Sequence, residues 1–278
     1  MSDKISCSLS LMRRLPPNKI EQNLSGLLNL IPEETDELLQ RVDQPLEESN
    51  DPQAGRAFLL CDYNRDGDSY RSPWSNQYYP PIDDGFLPSE KLRAMEMEAN
   101  ELFDSYRELY FEGGTSSVYL WDLENGFAGC FLIKKNVEGN RFVSKGSWDS
   151  IHVIEAIETS ATKATYKLTT TVMLSMSVSK EEVGNTNMSG SLTRQCEATC
   201  NVDQQENSHL ANIGRLIEDQ ESDMRSNLNE LYILKTREIV NNIRSVKDGP
   251  MQTASHVATL SAAVTGHGKG RKVDSESV

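Results

Sequence analysis

Three oxygen-bearing side chains stand at alternate positions early in the chain, at Asp62, Asn64 and Asp66. This spacing matches the first half of an EF-hand calcium loop, in which such side chains bind the ion. The match fails at the twelfth position, because Pro73 stands where a bidentate glutamate should complete the coordination. The sequence therefore favours a loop rich in Asx turns over a calcium site.

A second group, Cys196 and Cys200 with His209 downstream, offers ligands that zinc prefers. A structural zinc site needs four ligands, usually in two short-spaced pairs, and this group supplies three. The remaining histidines are dispersed, and the sequence has no Gly-x-Ser-x-Gly nucleophile motif and no phosphate-binding glycine loop. We therefore predict no catalytic centre, no metal site and no cofactor, and we expect a binding protein instead of an enzyme.

The chain of 278 residues carries a formal net charge of −14. Because an acidic surface repels nucleic acids, nucleic-acid binding is not expected. The charge is uneven, however, since residues 235–272 contain seven basic and two acidic side chains. Five scattered cysteines, no apolar leader and no eighteen-residue apolar run predict a reduced, cytoplasmic protein without a membrane span.

The first region, residues 1–47, is predicted to be a helical stalk. Apolar residues recur at helical spacing over residues 4–13 and 18–30, and two prolines separate these segments. A third short helix is expected after Pro32. Short helices joined by tight turns would pack against one another as a small antiparallel bundle.

The second region, residues 48–114, is predicted to contain an ordered loop followed by a helix. Segment 58–81 is rich in aromatic residues, glycine and proline, a composition typical of loops. An apolar face with a period near 3.6 residues then runs from Ser89 to the pair Gly113-Gly114, where the helix is expected to end.

The third region, residues 115–200, is predicted to form a five-stranded antiparallel sheet. Turn signals separate five segments with strand character, which are 117–123, 127–134, 148–157, 165–178 and roughly 188–195. The fourth segment alternates apolar and polar side chains, so one face is expected to be buried and the other partly polar. A long helix over 209–246, within a fourth region 201–248, would cover the sheet and complete an α+β fold.

The last region, residues 249–278, combines a short amphipathic segment with a basic tail. Val257, Leu260 and Val264 fall on one side of a helix. They could pack on the body as a last core helix, or stay exposed on a mobile arm and enter a groove on a partner. A glycine-proline pair before the segment and its weak, alanine-rich hydrophobicity favour the mobile amphipathic arm.

Eight runs of residues resemble the beta subunit of the F-actin capping protein family, and the likeness extends from about residue 5 to 246. These runs are Leu11–Pro17, Val42–Leu46, Cys61–Asn76, Tyr110–Gly114, Ser116–Asp122, Trp148–Val153, Gly190–Gln195 and Lys235–Arg237. The long run Cys61–Asn76 is too specific for a chance match.

The resemblance implies a mushroom-shaped heterodimer with a similarly folded alpha subunit. Each chain would give a helical stalk, five strands of a joint sheet and a long helix across it. The dimer would bind the fast-growing, or barbed, end of an actin filament independently of calcium and block both the addition and the loss of subunits. An alternative implied function is that of a structural subunit in a dynactin-like assembly, with the sheet serving heterodimerisation.

The resemblance also implies binding residues. The candidate actin contacts are Lys235, Arg237, Arg244 and Lys135, with Val257, Leu260 and Val264 as apolar anchors. A basic cap would complement the acidic surface of actin, although this arm is richer in Ala and Ser than the family's leucine-rich version. The stalk surface that contains Arg14 and Tyr78 resembles the site at which the family binds capping-protein-interaction motifs of regulators. Phosphoinositides are a further expected partner.

Overall fold

The computed structural model describes residues 3–139, 145–180, 184–203, 208–234, 237–238 and 240–242. The chain forms two compact units, residues 1–224 and residues 225–278. The first unit contains the N-terminal helices and every strand among the described residues, so the core described below belongs to it.

Three short helices form the predicted N-terminal bundle, namely α1 (Asp3–Met12), α2 (Ile20–Leu30) and α3 (Thr35–Arg41). A 3₁₀ turn that begins with a proline precedes both α2 and α3. Proline suits these positions because its fixed φ fits a first helical turn, where an N–H would have no helical partner. The bundle has an apolar core of its own, formed by Ile5, Leu9, Met12, Leu24, Leu27 and Leu38.

The segment predicted as an ordered loop contains two small antiparallel sheets. One pairs β1 (Glu47–Asp51) with β2 (Arg56–Leu60), and the other joins β3 (Arg65–Asp66), β4 (Ser69–Arg71) and β5 (Tyr78–Tyr79). Only β2 was indicated by the sequence, since the segment before Asp62 has strand character; the other strands were not predicted, because two to five residues are too few to show a periodic pattern.

Asn64, one of the candidate calcium ligands, ties this region together. Its side-chain oxygen accepts a hydrogen bond from the Cys61 N–H at 2.9 Å. Its side-chain nitrogen donates to the carbonyls of Leu59 and Arg71 at 3.3 and 2.9 Å. The amide therefore replaces backbone partners within the turn, as expected for a loop built on Asx side chains.

The central sheet has the predicted five strands in the predicted antiparallel order. They are β6 (Thr115–Leu123), β7 (Gly126–Glu138), β8 (Lys145–Ser160), β9 (Lys163–Lys180) and β10 (Gly184–Asn201). Each strand pairs with the next one along the chain. The strands are longer than predicted, because backbone pairing continues beyond the alternating apolar positions that marked them.

Both faces of this sheet are buried near its middle. One face packs under helix α4 (Glu90–Tyr110) and the first part of helix α5 (Ser208–Leu228), through a core that includes Phe103, Phe131, Ile154, Tyr166, Leu168, Ile213 and Ile217. The opposite face packs against the segment around β2, through Leu46, Leu59, Tyr119, Cys130, Leu132, Ile151 and Met173. The second face is partly polar, as expected, but it is covered at its middle, where Thr171 and Met173 of β9 are 4% and 3% exposed.

The two edges of the sheet differ. At the β6 edge, Leu120 N–H donates to Glu96 Oε2 of α4 at 2.7 Å. Two more bonds join Val118 of the same edge to the amide of Asn100, at 2.8 and 2.9 Å. Along the β10 edge, one backbone–backbone bond is found among the described residues, from Ser191 N–H to the Arg13 carbonyl at 3.0 Å, and the side chains of Arg194 and Asn212 donate to the Thr193 and Asn201 carbonyls. Helix α4 therefore covers one edge, whereas β10 leaves most of the other edge open.

Helix α5 starts within one residue of the predicted position. The predicted continuous α-helix over 209–246 is interrupted, however, because α5 ends at Leu228. After Leu228 the chain forms a six-residue π-helical turn, Asn229–Leu234. Residues 237–238 and 240–242 are helical, and residues 243–246 lie outside the described part of the chain.

Candidate functional site

The structure describes two of the seven candidate actin-binding residues, Arg237 and Lys135. The other five, Lys235, Arg244, Val257, Leu260 and Val264, lie outside the described residues. Their roles remain predictions from the sequence.

Arg237 is helical and exposed, within the second unit. Two aliphatic side chains three residues away on either side, Leu234 and Val240, are 50% and 41% exposed. A guanidinium beside exposed aliphatic groups is a combination that protein interfaces use. The π-helical turn that precedes Arg237 also favours a functional surface here, since such turns are frequent at functional sites.

Lys135 lies near the end of β7 and is half-buried. Its ammonium group donates to the carbonyl of Glu112, in the turn between α4 and β6. An added Cβ at Gly113, which has a φ of +71°, would lie 3.3 Å from the Lys135 ammonium nitrogen. The turn thus holds this lysine close to the backbone, and a partner would have to compete with the Glu112 carbonyl for it.

The neighbouring Lys134 points to the opposite face of the sheet and pairs with Asp149 at 3.0 Å. The two side chains are 13% and 2% exposed. Asp149 also accepts a hydrogen bond from Leu46 N–H at 3.0 Å. The folded chain thus supplies Lys134 with a buried partner, so this lysine is not a solvated side chain at the strand end.

The two candidate regulator-binding residues differ in accessibility. Arg14 follows α1 and is exposed. Tyr78 lies on β5 and is 7% exposed, and its hydroxyl donates to the Phe86 carbonyl at 2.8 Å. Burial raises the pKa of Tyr78, partly offset by the nearby Arg71. Arg14 is thus available for a surface contact, whereas the Tyr78 ring is buried and its hydroxyl is already bonded within the chain.

Asp51 organises the aromatic segment next to Tyr78. Its carboxylate is fully buried and accepts hydrogen bonds from the hydroxyls of Ser72 and Tyr79 at 2.6 and 3.0 Å. Three backbone N–H groups, at Gln53, Ala54 and Ser75, also donate to it. Burial by itself would raise the pKa of Asp51, but the hydrogen bonds prevail and hold it well below its ordinary value of 3.8.

The lowered pKa of Asp51 predicts a contribution to acid sensitivity. Because the folded pKa is depressed, the charged carboxylate stabilises the fold above pH 3.8, and this contribution is lost as the pH falls below that value. Asp51→Asn should cost about 1–3 kcal/mol at pH 7 and should flatten the fall in stability between pH 5 and pH 3. Denaturant unfolding at several pH values measures both effects. The exposed Asp84→Asn is the control, and an equal pH profile for the two variants would contradict the prediction.

The candidate zinc ligands have other contacts. His209 Nδ1 lies 2.8 Å from the Tyr166 hydroxyl, and Cys200 Sγ lies 3.5 Å from a guanidinium nitrogen of Arg215. Among the described residues, no group of three or more His, Cys, Asp and Glu side chains is arranged to hold a metal ion. The described helices include none that is long and apolar enough to cross a membrane.

Sequence reasoning missed one polar contact between α5 and the sheet. Glu221 stands on the sheet-facing side of α5, at four-residue steps from Ile213 and Ile217, and is fully buried together with His152 of β8. The signal available in the sequence was a carboxylate within the apolar stripe of α5, which indicates a buried polar contact. The stripe alone, however, did not indicate which strand residue the carboxylate would meet.

Comparison with known proteins places this architecture in a family. A model of the family described as "F-actin capping protein, beta subunit" matches residues 5–240. The chain belongs to this family. The F-actin-capping protein subunit beta of Drosophila melanogaster is 52% identical over 264 residues, which cover 94% of this chain and 95% of that protein. The subunit beta of Caenorhabditis elegans is 56% identical over 245 residues, covering 88% and 90%.

The matched range of the capping-protein beta family contains Lys235 and Arg237 and ends before Arg244 and the amphipathic arm. A solved structure described as a homodimeric actin capping protein alpha subunit, from Plasmodium berghei, has a similar fold, with a TM-score of 0.52. It is 17% identical, and the similarity covers 85% of this chain and 93% of that chain. This chain therefore has a fold similar to that of the solved alpha subunit.

Proposed function

We propose that this chain is the beta subunit of a heterodimeric capping protein that binds the barbed ends of actin filaments and blocks the addition and loss of subunits. The observation that carries the proposal is 52% identity to a subunit of that description across 94% of this chain and 95% of the relative. At this level of identity and coverage, the N-terminal helices, the sheet and α5 all have counterparts in the relative.

The proposed alpha partner adds its strands at the β10 edge. This edge offers an 18-residue strand, and most of its outward backbone groups have no bond within the described residues. An open edge of this length can pair with a strand from another chain. The β6 edge is a poor alternative, because Glu96 and Asn100 occupy its backbone groups.

The proposed actin contact combines charge and apolar area. Arg237 is exposed beside Leu234 and Val240, and Lys235 and Arg244 add basic charge in the same part of the sequence. A basic cap on a chain of net charge −14 would meet an acidic filament end without repulsion. Binding needs no calcium in this scheme, because salt-bridge and apolar contacts suffice.

Regulation and location follow from the same proposal. Regulators with capping-protein-interaction motifs would contact Arg14, which is exposed, and the surface around Tyr78, whose ring is buried. Phosphoinositides would compete for the basic segment, since they present phosphate groups to Lys and Arg side chains. The protein would then act in the cytoplasm, on the actin cytoskeleton.

Elongation of actin from seeded barbed ends tests this function. The chain is purified together with an alpha subunit and added at nanomolar to micromolar concentration. We expect elongation to stop as the ends become occupied, with the same midpoint in calcium and in a calcium chelator. Unchanged elongation at micromolar heterodimer would overturn capping and would leave the structural role in a dynactin-like assembly. Bovine serum albumin at equal concentration controls for crowding.

A further inference from the structure

Five polar side chains of β8, β9 and α5 form one chain of hydrogen bonds, in which Trp148 is half-buried and the other four are buried. Trp148 Nε1 donates to Ser150 Oγ at 2.7 Å, and Ser150 Oγ donates to Glu221 Oε1 at 2.5 Å. His152 Nε2 lies 3.1 Å from the same oxygen of Glu221, and His152 Nδ1 lies 2.9 Å from Thr170 Oγ1. We call these five residues the polar node.

Strand geometry explains why the node forms here. Trp148, Ser150 and His152 occupy alternate positions of β8, so their side chains point to the same face of the sheet. Thr170 of β9 lies directly opposite His152 in the strand pairing. These four side chains therefore present a row of polar groups to the helix that crosses the sheet.

Glu221 meets this row from above. It follows Ile213 and Ile217 at four-residue intervals on α5, and both isoleucines are 1% exposed in the apolar core. A carboxylate accepts hydrogen bonds and donates none, so His152 donates to it from Nε2. Glu221 thus receives at least two donors from the sheet, at a position where an aliphatic residue would continue the stripe.

The energetic cost of burying the Glu221 carboxylate argues against a purely stabilising role for this residue. Taking a carboxylate out of water is costly, and hydrogen bonds repay the cost only when the geometry is good. Apolar contacts, by contrast, are non-directional and tolerate small shifts of one element along another. The best-attested use of a buried polar group is to fix the register of two packed elements.

From these observations we infer that Glu221 is a positioning residue, which fixes the register of α5 on the sheet through Ser150 and His152. Helix α5 leads directly into the segment that contains Lys235 and Arg237. Because α5 is one continuous helix, a change in its register would also shift its last turn. The inference rests on the proposed capping function, because a fixed register serves a contact that the residues after α5 make.

Glu221→Met tests the inference, since it keeps the length of the side chain and removes the acceptor. We expect the heterodimer to stay folded and to dissociate from barbed ends about tenfold faster, within the range by which residues that touch no ligand change binding. Glu221→Gln keeps an acceptor oxygen for Ser150 and His152, and should dissociate within about threefold of the unmodified protein. Ile217→Val removes a methylene from the same helix face, and should leave dissociation within about twofold.

Hydrogen exchange separates positioning from simple destabilisation. In Glu221→Met, backbone amides of residues 210–224 should exchange at least about tenfold faster while β8 and β9 keep their protection. If this variant fails to fold, Ser150→Ala gives the second test, with faster exchange in α5 and about threefold faster dissociation. If these variants dissociated from barbed ends and exchanged their α5 amides at the same rates as the unmodified protein, the inference would be overturned. Failure of the unmodified protein to cap would overturn the proposed function instead, and the exchange experiment would still decide the role of Glu221.

Discussion

Replacing Glu96 by alanine is expected to lower the free energy of unfolding by about 3–5 kcal/mol. The Glu96 carboxylate is fully buried and binds Arg71 through two hydrogen bonds, at 2.7 and 2.8 Å. It also pairs with Arg93, and the side chains of Arg71 and Arg93 are 4% and 14% exposed. Without the carboxylate, two largely desolvated guanidinium groups and the Leu120 N–H lose an acceptor.

Denaturant unfolding of the purified protein, followed by tryptophan fluorescence, measures this loss. Trp74 is a local reporter, since Arg93 donates to its carbonyl at 3.1 Å. The matched control is Glu98→Ala, an exposed glutamate on the same helix, which should change the free energy of unfolding by less than about 0.5 kcal/mol. A loss below about 1 kcal/mol for Glu96→Ala would show that the two arginines find other partners, contrary to the prediction.

The second large effect concerns the basic segment of the second unit. Lys235→Glu combined with Arg237→Glu is expected to weaken binding to barbed ends by about 100-fold, which corresponds to roughly tenfold for each reversed charge. Arg237 is exposed, so its reversal removes no buried contact and should leave the fold intact. The concentration of heterodimer that halves elongation from seeded filaments measures the affinity.

The control for this experiment reverses the same amount of charge elsewhere. Lys91 and Lys163 are exposed, at the start of α4 and of β9. Lys91→Glu with Lys163→Glu should change the midpoint by less than about twofold at physiological salt, where separated exposed charges are screened. If both double variants weakened binding equally, net charge and not the basic segment would carry the interaction.

Local patterns in the sequence predicted most of the fold. Helical spacing gave α1, α2 and α4 within a few residues of their observed ends, and strand character between turn signals gave all five strands of the central sheet. These features are local, because the period of apolar residues reports which side of an element faces the core. Apart from β2, the short strands between Glu47 and Tyr79 were not predicted, and neither was the π-helical turn at Asn229–Leu234. These elements have no periodic signal.

The candidate site was predicted unevenly. Resemblance to the capping-protein beta family located Arg237, and the structure finds it exposed. Lys135 and Tyr78 were also named from that resemblance, but the folded chain engages both, with the Glu112 and Phe86 carbonyls as their partners. Hydrogen bonds of this kind depend on which backbone segment lies next to the side chain. The residue type alone does not predict that neighbour.

The sequence by itself determined the order of the elements, the faces they bury and the family to which the chain belongs. Tertiary structure alone decided which polar groups meet in the interior, such as Glu221 with His152 and Glu96 with Arg71. The physical reason is distance along the chain. Apolar burial needs only a pattern, whereas a buried carboxylate needs partners at hydrogen-bonding distance, and strand register and helix packing set those distances.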